Sequence, residues 1–127
     1  MKEAIMLDLK EINNIKLTPH FRLSEFSCRC CHHVCIDGRV PILLEGLRAM
    51  VGKPIYINSA YRCPTHNKAV GGAKASKHMD GTAIDIRCQG MQPAELARFA
   101  RKIGFYGIGI YPGFIHADLG PVREWHG

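Results

Sequence analysis

Long apolar runs are missing from this 127-residue chain; its uninterrupted apolar stretches are only a few residues long, which excludes a membrane-spanning helix. Blocks of lysine and arginine are missing as well. The net charge is +6, from 17 basic and 11 acidic residues, but the charges are scattered. A nucleic-acid-binding stripe is therefore not expected. A dispersed positive charge favours looser concentration on polyanions such as nucleic acid, anionic membrane or bacterial cell wall. There is no internal repeat and no low-complexity segment. Met1–Ile15 interleaves Lys2, Glu3, Asp8, Lys10 and Glu11 with its apolar residues and so lacks the apolar core of a secretory signal. The expectation is a protein without a signal peptide, made in the cytoplasm, that needs another agent to release it.

What is present suits one folded domain. Hydrophobic residues make up 46% and charged residues 22%, ordinary for a globular protein of a size that buries a single modest core. Residues 1–20 read as a separate N-terminal segment ending at Thr18-Pro19-His20, and residues 21–127 as the domain. Ser24-Glu25 starts a helical turn within Phe21–Phe26. Pro41–Val51 reads as a helix with Leu43, Leu44, Leu47 and Met50 on one face, closed by Gly52. Ile55–Ile57 reads as a strand, Pro64–Val70 as a short helix, and Thr82–Arg87 as a strand. Pro93–Ile103 is a second clear helix, buried through Leu96, Phe99, Ala100 and Ile103. Gly107–Tyr111 and Phe114–Leu119 read as strands joined by a Pro112-Gly113 turn. Helices and a small sheet without repeated βαβ units predict an α+β fold.

Six cysteines are too few for a small disulfide scaffold. Cys28, Cys30, Cys31 and Cys35 share one run with His32 and His33, while Cys63 and Cys88 stand apart. The run holds one C-x-x-C, Cys28 and Cys31, with no second to complete a zinc ribbon. Three states stay open for it: a second, structural zinc held by four of its Cys and His residues, disulfides drawing in Cys63 or Cys88, or reduced thiols. Gly71-Gly72-Ala73-Lys74 lacks the spacing of a phosphate loop and reads as a flexible border.

The chemistry concentrates elsewhere. His78 lies in a polar, glycine-flanked loop, Asp85 follows seven positions later on a strand, and His116 sits on the last predicted strand. If those strands are neighbours, His78, Asp85 and His116 form one metal site. Two imidazoles and a carboxylate suit zinc and leave a fourth position for water. Zinc then acidifies that water and polarises a scissile carbonyl.

Ser76-x-His78-x-x-Gly81-x-Ala83-x-Asp85, followed by Phe114-Ile115-His116-Ala117-Asp118, resembles the zinc D-Ala-D-Ala peptidases of the M15 type, which share a core fold with the hedgehog signalling domain. Ile57–Arg62, His66-Asn67 and Gly71-Gly72-Ala73 resemble the same family's substrate side. Phe21–Phe26 and Gly107–Tyr111 are similar to its small bacterial and phage subgroup, in which comparable cysteine-rich runs occur. The likeness covers about residues 20–125. It implies a small antiparallel or mixed sheet with flanking helices, and one catalytic zinc on His78, Asp85 and His116. The implied substrate is a peptidoglycan stem or cross-bridge peptide, cut beside a D-amino acid by carboxypeptidase or endopeptidase action. Arg62 would meet the substrate carbonyl or carboxylate, because a guanidinium donates two parallel hydrogen bonds. His66 and Asn67 fall in the substrate-side motif, and Tyr111 is a candidate donor to the oxyanion, with a core or rim aromatic as the alternative.

The general base does not carry over. Many relatives have Glu or Asp three residues before the last zinc ligand, or His two before it; this chain has Gly113 and Phe114 there. Asp118 shares a strand face with His116 and is the candidate for base or for orienting that ligand, ahead of Asp80. Trp125 and His126 either edge the groove or form a tail. The expected protein is a monomeric cell-wall hydrolase with neither membrane nor nucleic acid as partner; a phage lysin, a prophage remnant and a housekeeping enzyme stay open, the small size leaning toward the first two, which would reach the wall through a holin, a tail or lysis. The competing readings are a non-catalytic wall- or protein-binding domain of the same fold and a zinc-stabilised nucleic-acid-binding module.

Overall fold

The computed structural model describes residues 15–127. Most of the expected N-terminal segment, including the stretch read as lacking a signal peptide, lies outside the described residues. Its end does not stand apart from the domain: Lys16–Thr18 (β1) pairs antiparallel with Phe21–Arg22 (β2) across Pro19-His20. A 3₁₀ turn follows over Leu23–Phe26, and its Glu25 carboxylate accepts the Arg22 N–H at 2.7 Å.

The remaining elements run α1 (Arg39–Val51), β3 (Ile55–Ser59), α2 (Pro64–Ala69), β4 (Ala83–Cys88), α3 (Pro93–Ile103), β5 (Gly107–Tyr111), β6 (Phe114–Asp118) and β7 (Arg123–His126). The large sheet has the order β3-β4-β6-β5-β7. Its first four strands are antiparallel and β7 joins β5 in parallel, giving a mixed sheet in an α+β fold. Among the described residues no helix is long and apolar enough to cross a membrane.

Helix α3 packs on the sheet and α1 packs on α3. Leu44 and Leu47 of α1 and Leu96, Ala97 and Ala100 of α3 meet Ile84, Ile86, Ile108, Ile115 and Ala117 in the core. The helix faces differ slightly from the sequence expectation. Met50 is exposed and Pro41 is buried, while Val51 in the last turn still packs against the core; Gly52 closes the helix in the left-handed conformation at φ 69°.

Alternation along the central strands builds the other face of the sheet. Ile84 and Ile86 on β4, and Ile115 and Ala117 on β6, enter the core, so Asp85, His116 and Asp118 project from the opposite side. Register then sets them in rows. Ser59, Asp85, His116, Gly109 and Trp125 lie across β3, β4, β6, β5 and β7; Ala83, Asp118, Gly107 and Arg123 form the next row.

Candidate active site

Asp85 is the hub of the first row. Its Oδ1 lies 3.1 Å from His78 Nε2 and 3.1 Å from His116 Nδ1, and its Oδ2 accepts from Arg62 Nη2 at 3.1 Å. One ligand atom from each of His78, Asp85 and His116 falls within 4.8 Å of the others. The His78 loop turns through Gly81 at φ 74°, where a Cβ would strike the Cys35 carbonyl at 2.2 Å, and this tight pass returns the chain to β4.

Each imidazole is held from behind. His78 Nδ1 sits 2.6 Å from the Ala60 carbonyl oxygen, so that nitrogen carries the proton and Nε2 turns its lone pair to the centre. His116 Nε2 sits 2.7 Å from Asp118 Oδ2, so Nδ1 is left facing Asp85. Two imidazole lone pairs and a carboxylate oxygen thus converge on one point. That donor set fits zinc, and its two imidazoles are oriented as metal-binding histidines are.

The electrostatics follow from these contacts. Burial works to raise the Asp85 carboxyl, but the His116 and His78 rings beside it outweigh that effect and hold the group well below the ordinary carboxylate range. Burial similarly opposes ionisation of Asp118, yet His116, Arg123 and the Gly120 N–H keep it far below that range. Burial would lower His116; Asp118 and Asp85 together raise it instead.

Asp118 does not stand in the open as a base would. It is fully buried, and its two oxygens accept from His116 Nε2 at 2.7 Å, Arg123 Nη2 at 2.8 Å, Arg123 Nη1 at 3.0 Å and Gly120 N at 2.9 Å. Of the two roles the sequence left open for it, this geometry matches the orienting one. Asp80 lies on the exposed loop and does not line the cleft.

The centre opens into a cleft of about 470 Å³. Arg62, Tyr111 and Trp125 form parts of its wall, and Lys77 and Arg123 add positive charge. Its carboxylates are those of Asp85 and Asp118, with both oxygens of each already engaged. Arg62 spends three of its five N–H donors on Ser59 Oγ, Asn67 Oδ1 and Asp85 Oδ2, leaving two for a bound molecule. Tyr111 accepts from Trp125 Nε1 at 2.8 Å, which leaves its own O–H to donate.

His66 and Asn67, expected on the substrate side, do not line the cleft. Asn67 is buried behind Arg62, and its amide also donates to the Ala73 carbonyl, tying the Gly71–Ala73 loop to that wall. The His66 N–H caps α2 on Cys63 Sγ. In the cysteine run, Cys28 and Cys31 converge with Cys63, whereas Cys30 and Cys35 are exposed and fall outside that group.

Sequence reasoning missed strand β7 and the parts Lys77 and Arg123 play. The ring of Trp125 lies 5.3 Å from that of His116, while exposed His126 is not in the cleft wall. A signal was available in Gly107 and Gly109. A Cβ on Gly109 would lie 2.5 Å from the Trp125 ring, and one on Gly107 would lie 2.1 Å from Arg123 Nη1. Glycines at alternate strand positions mark places where neighbouring side chains cross the backbone closely.

The Peptidase M15 family model matches residues 19–118. The probable peptidoglycan L,D-endopeptidase MepK of Haemophilus influenzae is 36% identical over 74 residues, covering 57% of this chain and 40% of that protein. The zinc D-Ala-D-Ala carboxypeptidase of Streptomyces albus G is 42% identical over 89 residues, covering 65% of this chain and 34% of that protein. The chain thus spans well under half the length of these curated relatives. With the His78, Asp85 and His116 centre lying inside the matched region, the chain belongs to the peptidase M15 family.

Proposed function

We propose that the protein is a zinc-dependent peptidase that hydrolyses peptidoglycan peptides beside a D-amino acid. The observation that carries this reading is the pair of oppositely tethered imidazoles, His78 held through Nδ1 and His116 through Nε2, that aim their free nitrogens at Asp85 Oδ1. The likeness to a probable peptidoglycan L,D-endopeptidase and to a zinc D-Ala-D-Ala carboxypeptidase supports it. When bound, zinc supplies Lewis acidity: it polarises a carbonyl and acidifies water.

The chain's own residues supply the rest. Arg62 offers two N–H donors to the substrate carbonyl or a nearby carboxylate, and the Tyr111 hydroxyl donates where negative charge develops. Asp118 keeps the His116 ring in the tautomer that ligates. Lys77, Arg62 and Arg123 make the cleft attractive to the carboxylates of wall peptides. With both oxygens of Asp118 and of Asp85 already engaged, neither carboxylate is free to take a proton from water. The protein works as a monomer and reaches the wall by lysis, a holin or a phage tail.

The commitment of both cleft carboxylates favours a second reading, a non-catalytic wall-binding domain of the same fold. Purified muropeptides separate the two. Incubation with the zinc-loaded protein should release fragments whose masses place the cut beside a D-residue, and His116→Ala should release none. Binding to cell walls without any fragment would establish the second reading.

A further inference from the structure

The three cysteines that converge are drawn from two distant parts of the chain. Cys28 is buried just after the 3₁₀ turn, Cys31 ends its C-x-x-C, and Cys63 caps α2 next to Arg62. Their sulfurs all lie within 4.8 Å of one another. Tetrahedral zinc, with Zn–S bonds of about 2.3 Å, spaces its sulfurs about 3.8 Å apart, so a small closure suffices.

The backbone is wound around these sulfurs. Cys28 N–H donates to the His33 carbonyl at 2.8 Å and His32 N–H to the Cys28 carbonyl at 2.9 Å, closing residues 28–33 into a knuckle. His32, directly after the C-x-x-C, adopts the left-handed φ of 62°, uncommon for a residue with a side chain. Cys63 N–H points at Cys28 Sγ at 3.5 Å, and His66 N–H at Cys63 Sγ at 3.4 Å. Against the effect of burial, the Cys63 N–H helps lower the Cys28 thiol to about 7, toward the thiolate in which cysteine binds metal. Cys30, one residue before Cys31, is exposed and stands outside the trio.

We propose that Cys28, Cys31 and Cys63 hold a structural zinc that clasps the 28–35 loop to the wall carrying Arg62, with the exposed Cys30, outside the convergent trio as it stands, swinging in as the fourth ligand. The clasp acts on the cleft through two short links. Arg62 adjoins Cys63, and α2, which Cys63 caps, carries the Asn67 that holds Arg62 Nη1. Binding releases the thiol protons to solvent. The proposal stands independently of the peptidase reading.

Protein purified under reducing conditions should contain two zinc ions per chain. His116→Ala should keep one, and Cys63→Ser should keep one. Stripped protein reloaded with Co²⁺ should show thiolate-to-cobalt charge-transfer absorption in the near ultraviolet. That band should persist in His116→Ala and vanish in Cys63→Ser, while Cys63→His retains metal with a shifted spectrum. If Cys63→Ser does not fold, the cobalt spectrum of His116→Ala decides alone. A His116→Ala protein with no sulfur band, or native protein whose single zinc survives Cys63→Ser, overturns the clasp. Neither result touches the ability of native protein to cut muropeptides, so the two readings fail separately.

Discussion

Changing Asp118 to Asn separates two tasks that a carboxylate beside a metal ligand can perform. The side chain is fully buried and accepts four hydrogen bonds, the shortest from His116 Nε2 at 2.7 Å. Asn keeps the shape but replaces one acceptor with a donor, which must face either His116 and Arg123 Nη2 or the Gly120 N–H and Arg123 Nη1. Stranding a fully buried charge costs about 3–5 kcal/mol. Arg123 retains 38% side-chain exposure and can turn to water, so the stability loss should be smaller, about 1–3 kcal/mol. The metal-site effect is distinct. Loss of the group that orients a ligating imidazole weakens metal affinity about 10–100-fold, or about 1.4–2.7 kcal/mol. Competition with a chromophoric chelator measures that affinity, and peptide hydrolysis at saturating zinc measures what remains. If Asp118 orients His116, Asp118→Asn loses zinc affinity and recovers most of its turnover at saturating zinc. Unchanged affinity with a 10²–10⁴-fold loss of turnover, the signature of a missing general base, would refute the reasoning.

Three further outcomes are expected. Arg62→Lys, which cannot reproduce three simultaneous bonds to Ser59, Asn67 and Asp85, should lower kcat/KM about 10²-fold or more while the protein stays folded by circular dichroism; wild-type kcat/KM would remove Arg62 from the site. Gly109→Ala places a Cβ against the Trp125 ring and should destabilise by about 1–3 kcal/mol in urea, with Trp125 fluorescence shifting as the ring is pushed from His116; an unchanged emission spectrum would count against that packing. In chelated protein, Asp85 and Asp118 are held below their ordinary range and His116 above its own. The carboxylates therefore stabilise the fold above about pH 4 and lose that effect as pH falls toward their folded values; His116 stabilises it below about pH 6.5 and loses that effect as pH rises. Melting temperature should peak between those limits, and a continuous rise from pH 6 to 8 would contradict the sign.

How far sequence carried the fold depends on how local each signal is. Period-2 patterning on β4 and β6 was enough to put Asp85 and His116 on one face, and the adjacency of those strands makes them register partners. Helix α3 was legible from Leu96 and Ala100, spaced by one turn. Strand β7 was not, because its parallel pairing with β5 has no hairpin to announce it and Arg123-Glu124-Trp125 reads as a polar tail. Cys63 could not be joined to Cys28 from spacing alone: the Tyr61 N–H to Phe26 carbonyl bond that brings their segments together spans 35 residues of chain. Nor could Asn67 be separated from the substrate side. Its motif is shared with cleft residues, while its burial behind Arg62 is a tertiary fact.

The central claim is that His78, Asp85 and His116 hold the zinc on which hydrolysis depends. Its most direct test is to strip the protein with a chelator and titrate zinc back while following cleavage of a purified muropeptide. The account predicts no cleavage in stripped protein, recovery in step with added zinc, and none at any zinc concentration in His116→Ala. Full cleavage by the stripped protein, or by His116→Ala, would contradict it.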